Sequence, residues 1–174
     1  MGRVTDLAPA GMVPAAWLLT IAAHAALVSD RTLLIGLGVM DVLLVAFAAA
    51  SSGEMTGPVL SAWRQVLLVG LLANLLGTAD LLVDPASNPA LPVTLYAWFL
   101  LPAVAYVRTG RETVRSPYRQ AYLAAAALTL LGTAAYSVAF VGIVDDSVAT
   151  VGGLAVVGGG QTVGIVAAAV QNGG

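Results

Sequence analysis

Residues 32–50 read TLLIGLGVMDVLLVAFAAA. One acid interrupts a run that is otherwise uncharged. A bilayer core about 30 Å thick is crossed by roughly 20 apolar residues in a helix, each rising about 1.5 Å. A membrane β-strand would alternate apolar and polar residues, and this run does not. In lipid the backbone must satisfy its own hydrogen bonds, which a helix does within a single segment. The stretch therefore reads as a transmembrane helix.

Working outward, the whole chain shares this character. It has 174 residues, 59% hydrophobic and 9% charged, with a mean hydropathy of +0.93. A soluble domain carries about 25% charged residues to cover its surface. Five further apolar runs lie at about 12–28, 58–79, 91–107, 119–141 and 148–170. Turn formers and charges separate them, in the stretches SDR, SSGEMTG, DLLVDPASNP, RTGRETVRSPY and VDDS. The expected fold is all-α: a polytopic transmembrane bundle of six spans, forming one integral membrane domain over residues 1–174. An Ala-His-Ala tripeptide at Ala23–Ala25 has the form of a leader-cleavage site. Such tripeptides arise readily in an Ala-rich helix, so the first helix is read as retained.

Arginine sets the direction of the spans. Arg108, Arg111, Arg115 and Arg119 cluster between the fourth and fifth runs. Cytoplasmic loops carry the excess of basic residues. Six spans then place both termini in the cytoplasm, with Arg3 and Arg64 on the same side and Arg31 opposite. The expected location is the cell membrane. Arg64, Arg108, Arg111, Arg115 and Arg119 are expected to contact lipid headgroups, and the bilayer is the expected partner.

The third and fifth runs are alike. SAWRQVLLVGLLANLLGTADLLV from Ser61 and SPYRQAYLAAAALTLLGTAAYSV from Ser116 share ten of 23 positions without a gap. Leu and Ala matches follow from composition. Arg64 with Arg119, Gln65 with Gln120, and the Gly-Thr pairs Gly77–Thr78 and Gly132–Thr133 do not. The two runs point the same way, which predicts a parallel internal repeat with an even number of helices per unit. Trp63 and Tyr118 are expected in the interfacial aromatic belt. Thr78 and Thr133 are expected to bond to their own helices.

Asp41 is the acid in the opening stretch. An Asp at mid-span costs about 2.5–3.5 kcal/mol on insertion scales, so a partner, a wet cavity or a proton must offset it. His24, Asn74 and Gln161 fall at compatible depths, and with Asp41 they form a candidate intramembrane polar or ion site. Small residues mark helix packing: Gly160, Gly164 and Ala168 at four-residue spacing in the sixth run, and Gly77 and Gly132 in the repeat. A broken helix at Gly158–Thr162 is the alternative for the sixth run. Pro102 is expected to free one carbonyl in the fourth run for a neighbour or water.

Several chemistries are excluded or set aside. No Lys means no Schiff base, and so no retinal pigment. No Cys and one His leave no zinc site or bis-histidine haem, and no cofactor or metal is expected. Asn88–Ala90 spells the aquaporin Asn-Pro-Ala motif, but once only, where aquaporins need two. Nothing points to nucleic acid, and no catalytic pair appears. A small permease, channel or ion-coupled carrier built around Asp41 is the leading reading. A structural or assembly subunit of a membrane complex, or a homo-oligomer, is the alternative.

Overall fold

The computed structural model describes residues 2–50, 57–114, 116–143 and 147–173, with side chains described from residue 10 to residue 171 apart from Ser116. The described residues form six α-helices and no strand: α1 (Gly2–His24), α2 (Asp30–Ala50), α3 (Pro58–Val83), α4 (Leu91–Glu112), α5 (Ser116–Phe140) and α6 (Ser147–Gly173). Five of them, α2 to α6, are long and apolar enough to cross a membrane. The described part of α1 contributes a shorter apolar helix, Ala10–His24.

The pattern of burial is that of a protein in lipid. In α2 the buried residues are Asp41 and Leu44, while Ile35, Val39, Val42 and Val45 are exposed. A helix that hides an acid and displays its valines has apolar solvent outside. Apolar side chains are likewise exposed along α3, α4, α5 and α6.

Each helix packs on its neighbours in sequence, and α1 against α6 closes a ring. The closest pair is α5 with α6, and the reason is glycine. A Cβ on Gly132 would lie 2.6 Å from the Gly153 carbonyl oxygen and 2.7 Å from the Val157 nitrogen. A Cβ on Gly160 would lie 3.0 Å from both the Ala125 oxygen and the Thr129 nitrogen. Small residues thus let the two backbones touch. Gly164 instead leaves room for the Tyr106 ring of α4.

Aromatic rings fill the middle. Trp17 of α1 stacks on Phe99 of α4 with centroids 5.7 Å apart, and Phe99 meets Tyr136 of α5 edge-on at 5.3 Å. A second cluster at the other end joins Tyr106, Tyr122, Ala125 and Ala126. Trp63 packs against this cluster. Its indole donates to Thr109 Oγ1 at 3.0 Å, and its ring meets Tyr106 edge-on at 5.0 Å.

Helix ends differ from the sequence-based expectation where capping decides them. The first helix stops at His24, short of the expected Val28. Ala26 takes a left-handed φ of 55°, Leu27 N–H bonds the Ala22 carbonyl, and Ala26 N–H bonds the Ala23 carbonyl. This is a Schellman termination, usually made by Gly. The same motif ends α5, with Gly142 (φ 74°) in the glycine position. The sixth helix is unbroken through Gly158–Thr162, which favours packing over a broken helix.

A matching face recurs in α3 and α5. Gly70 and Gly77 face Trp98 and Thr94 of α4; Ala125 and Gly132, each 55 positions later, face Gly160 and Gly153 of α6. Asn74 and Thr129, and Leu81 and Tyr136, are buried in the same register.

Candidate functional site

Asp41, Asn74 and Thr78 meet between α2 and α3. Asp41 is 8% exposed and Asn74 2%. Asn74 donates one Nδ2 hydrogen to Asp41 Oδ1 at 2.8 Å and the other to the Leu37 carbonyl at 3.1 Å. Its Oδ1 accepts the Trp98 indole N–H at 3.4 Å. All its hydrogen-bonding groups are thereby used, which fixes the amide. Thr78 is one helical turn beyond Asn74, and so shares its face. Its Oγ1 is 2.7 Å from Asp41 Oδ2 and 3.0 Å from the Asn74 carbonyl. The second contact is the bond to its own helix expected of Thr78, and Thr133 makes its equivalent to Thr129.

The Thr78 hydroxyl has one hydrogen and two oxygens to serve. Facing a carboxylate, it donates to Asp41 Oδ2. Facing a carboxylic acid, it accepts the acid hydrogen and turns its own to the Asn74 carbonyl. Rotation of one hydroxyl therefore fits both forms with no heavy atom displaced. Asp41 is the one carboxyl group among the buried residues described.

Gln161 lies across the ring, in a different role. It donates Nε2–H to the Trp98 carbonyl at 2.8 Å and accepts the Trp17 indole N–H on Oε1 at 3.1 Å. Its backbone carbonyl accepts the Tyr106 hydroxyl at 2.8 Å. The Trp98 carbonyl is the one that Pro102, four residues on, cannot bond, because proline has no N–H. Gln161 is thus a tie between α1, α4 and α6. It meets the Asp41 cluster only through Trp98, whose indole faces Asn74 while its carbonyl faces Gln161.

His24 joins neither group directly. The Thr20 carbonyl, an acceptor only, lies 2.9 Å from Nδ1, so that nitrogen carries hydrogen. Nε2 is 3.2 Å from the Tyr136 hydroxyl. The structure therefore pairs Asp41 with Asn74, links Gln161 to them through Trp98, and leaves His24 on Tyr136. Thr78, Trp98 and Trp17 were not among the expected site residues. The four-residue step from Asn74 to Thr78 was a readable signal for Thr78; nothing in the sequence marks Trp17 or Trp98 as neighbours of Gln161. Every buried side-chain polar atom described has a partner.

Arg64, Arg108, Arg111 and Arg119 are exposed at one end of the bundle, where α4 ends and α3 and α5 begin. Arg115 lies outside the described residues. At the opposite end, Asp80 Oδ2 accepts the Ala90 N–H at 2.7 Å and so caps α4. Beyond it, Asp84 accepts the Ser87 hydroxyl at 2.6 Å and the Ser87 N–H at 3.3 Å. Those bonds, the hydroxyl first, hold the Asp84 carboxyl below its ordinary range. The Asn88–Ala90 motif is part of this self-bonded turn: Asn88 has φ 29° and bonds the Pro85 carbonyl at 2.8 Å.

The chain matches no family model, no curated protein and no solved structure. What stands is a helical protein with apolar helices suited to multiple membrane crossings and to contact with a lipid bilayer.

Proposed function

We propose that this is a small proton-coupled carrier or channel-like protein of the cell membrane in which Asp41 binds the proton. The observation that carries the reading is the Thr78 hydroxyl, within bonding distance of both Asp41 Oδ2 and the Asn74 carbonyl. A group that must gain and lose a proton in a low-dielectric interior needs partners that serve both forms. The Asn74 amide donates to either form, and the hydroxyl reverses its role. Intramembrane acids commonly mark proton and ion paths.

The same proposal takes α1 as a sixth span within one membrane domain, with both termini cytoplasmic. Gly2–His24 has 23 residues, about 34 Å at 1.5 Å per residue. Arg64, Arg108, Arg111 and Arg119 share one end while Arg31 opens α2 at the other, in keeping with the positive-inside rule. A parallel repeat relating α3 and α5 is part of the reading. It is supported by the matching small residues that α3 and α5 each turn to the helix that follows.

A second reading, an assembly subunit without transport, is favoured by one observation. The centre is occupied by the Trp17–Phe99 stack, and every polar atom of the Gln161 side chain is engaged. The test is proton flux into reconstituted vesicles under an imposed pH gradient, read with an internal pH dye. Wild-type flux, lost in Asp41→Asn with the helical content and detergent-solubilised size unchanged, supports the carrier. Wild-type vesicles no leakier than empty ones, or equal flux in the variant, overturn it in favour of the subunit.

A further inference from the structure

A groove of about 480 Å³ runs along the α4–α5 face at the arginine-rich end. Its walls are Leu100, Val104 and Val107 of α4 and Leu130 of α5, with the buried Ala103 as floor. These α4 positions recur every three or four residues and form one stripe along the helix. Arg108 and Arg111 continue the same stripe, so an apolar channel ends at two guanidinium groups. Among the described residues no side chain bonds either of them. Glu112 shares the rim, so the mouth carries two positive charges against one negative, a net of +1.

We propose that this groove holds one molecule of an anionic phospholipid, with an acyl chain along Leu100–Val107 and the phosphodiester between Arg108 and Arg111. Length supports this occupant. Leu100 to Arg111 is 11 steps of about 1.5 Å, or ~16 Å, and half of a hydrocarbon core about 30 Å thick is ~15 Å. The groove therefore spans one leaflet, from its mid-plane to its headgroups. Charge supports it as well. The arginine fork matches phosphate oxygens, and an unpaired guanidinium at the interface gains about 1 kcal/mol from anionic lipid. A zwitterionic lipid brings its own cation to the same mouth and loses that gain. Glu112 faces the glycerol or amine part of the headgroup. The site needs only that α4 crosses a bilayer and is independent of Asp41; the proposed orientation decides only that the leaflet is the cytoplasmic one.

The experiment is a lipid titration of the delipidated, detergent-solubilised full chain, read by native mass spectrometry. Phosphatidylglycerol and phosphatidylcholine of the same chain length are compared, with inorganic phosphate as a separate arm. One phosphatidylglycerol per chain is expected to bind well ahead of phosphatidylcholine, undisturbed by millimolar phosphate. Arg108→Ala or Arg111→Ala each weakens it about fivefold, and the pair together about thirtyfold. Val104→Trp leaves both charges in place and fills the channel; it too lowers affinity at least tenfold, while Val104→Ala does not. Circular dichroism and gel filtration confirm that each variant is folded. Four results overturn the proposal: equal binding of the two lipids, an Arg108→Ala/Arg111→Ala protein that binds like wild type, Val104→Trp without effect, or a groove covered instead by a second copy of the chain.

Discussion

Gln161 donates a hydrogen bond to the Trp98 carbonyl at 2.8 Å, and that carbonyl has no helical donor because Pro102 occupies the fourth position after it. A proline that weakens α4 and a glutamine in α6 thus complete each other. Gln161→Leu is expected to strand the Trp98 oxygen and the Trp17 indole and to cost about 1–3 kcal/mol. In a Pro102→Ala background the carbonyl regains an N–H partner, so the same change costs about 1 kcal/mol less. A double-mutant cycle of unfolding in mixed detergent micelles measures the difference. Strict additivity would show that the two residues do not act on one carbonyl.

Asn74 and Thr78 both hold Asp41, with unequal duties. Asn74 also bonds Leu37 and Trp98, so Asn74→Ala leaves several groups unpaired at once. Thr78→Val removes one hydroxyl: Asp41 Oδ2 loses its bond, while Oδ1 keeps Asn74. Asn74→Ala is expected to destabilise the fold by about 1–2 kcal/mol, against about 0.6 kcal/mol for Thr78→Val, within the range for polar bonds between membrane helices. The same unfolding titration ranks them. In flux assays the order reverses in character: Thr78→Val keeps the fold and slows proton turnover.

The glycines divide by what surrounds them. Gly132→Ala pushes a methyl into the Gly153 and Val157 backbone, which no rotamer change relieves, and is expected to cost about 1–3 kcal/mol. Gly152 and Gly159 face open space in the same pair of helices. Gly159→Ala is expected to stabilise by up to about 1 kcal/mol through helix propensity alone. Thermal midpoints of the two variants in one detergent decide the matter, with the sign as the readout.

Asp84 carries the pH dependence of the turn between α3 and α4. Its carboxyl titrates below the unfolded-chain value because Ser87 bonds the charged form. A depressed acid adds stability that is fully present above its unfolded pKa and is lost as pH falls through its folded one. The turn should therefore loosen only under acidic conditions, below the normal carboxylate range. Ser87→Ala should raise the Asp84 titration midpoint toward the ordinary value, seen in the NMR shift of the side-chain carboxyl carbon.

The helices were legible because lipid demands long uninterrupted apolar runs, and five of them stand out by length alone. The position of Asp41 inside the bundle follows from the same demand, since an acid facing hydrocarbon is costly. Partners were harder to read. Asn74 and Asp41 are 33 positions apart in sequence, and only the way α2 sits against α3 brings them together. His24 pairs with Tyr136 because α1 packs on α6, and its ring reaches α5 from there. The end of α1 was misplaced because an alanine does the turning that glycine usually announces. Trp63 was expected beside headgroups because aromatic residues next to arginine often sit there; its contacts with Thr109 and Tyr106 of α4 could not be read from the sequence.

The bond from Gln161 to Trp98 also has a temporal meaning. A chain made from its N-terminus places α4 in the bilayer while α6 is still unsynthesised. During that interval the Trp98 oxygen and the Trp17 indole lack their final companion. A later helix, α6, is the one that seals them, so translation that halts before α6 leaves an open, poorly sealed intermediate, vulnerable to membrane quality-control proteases.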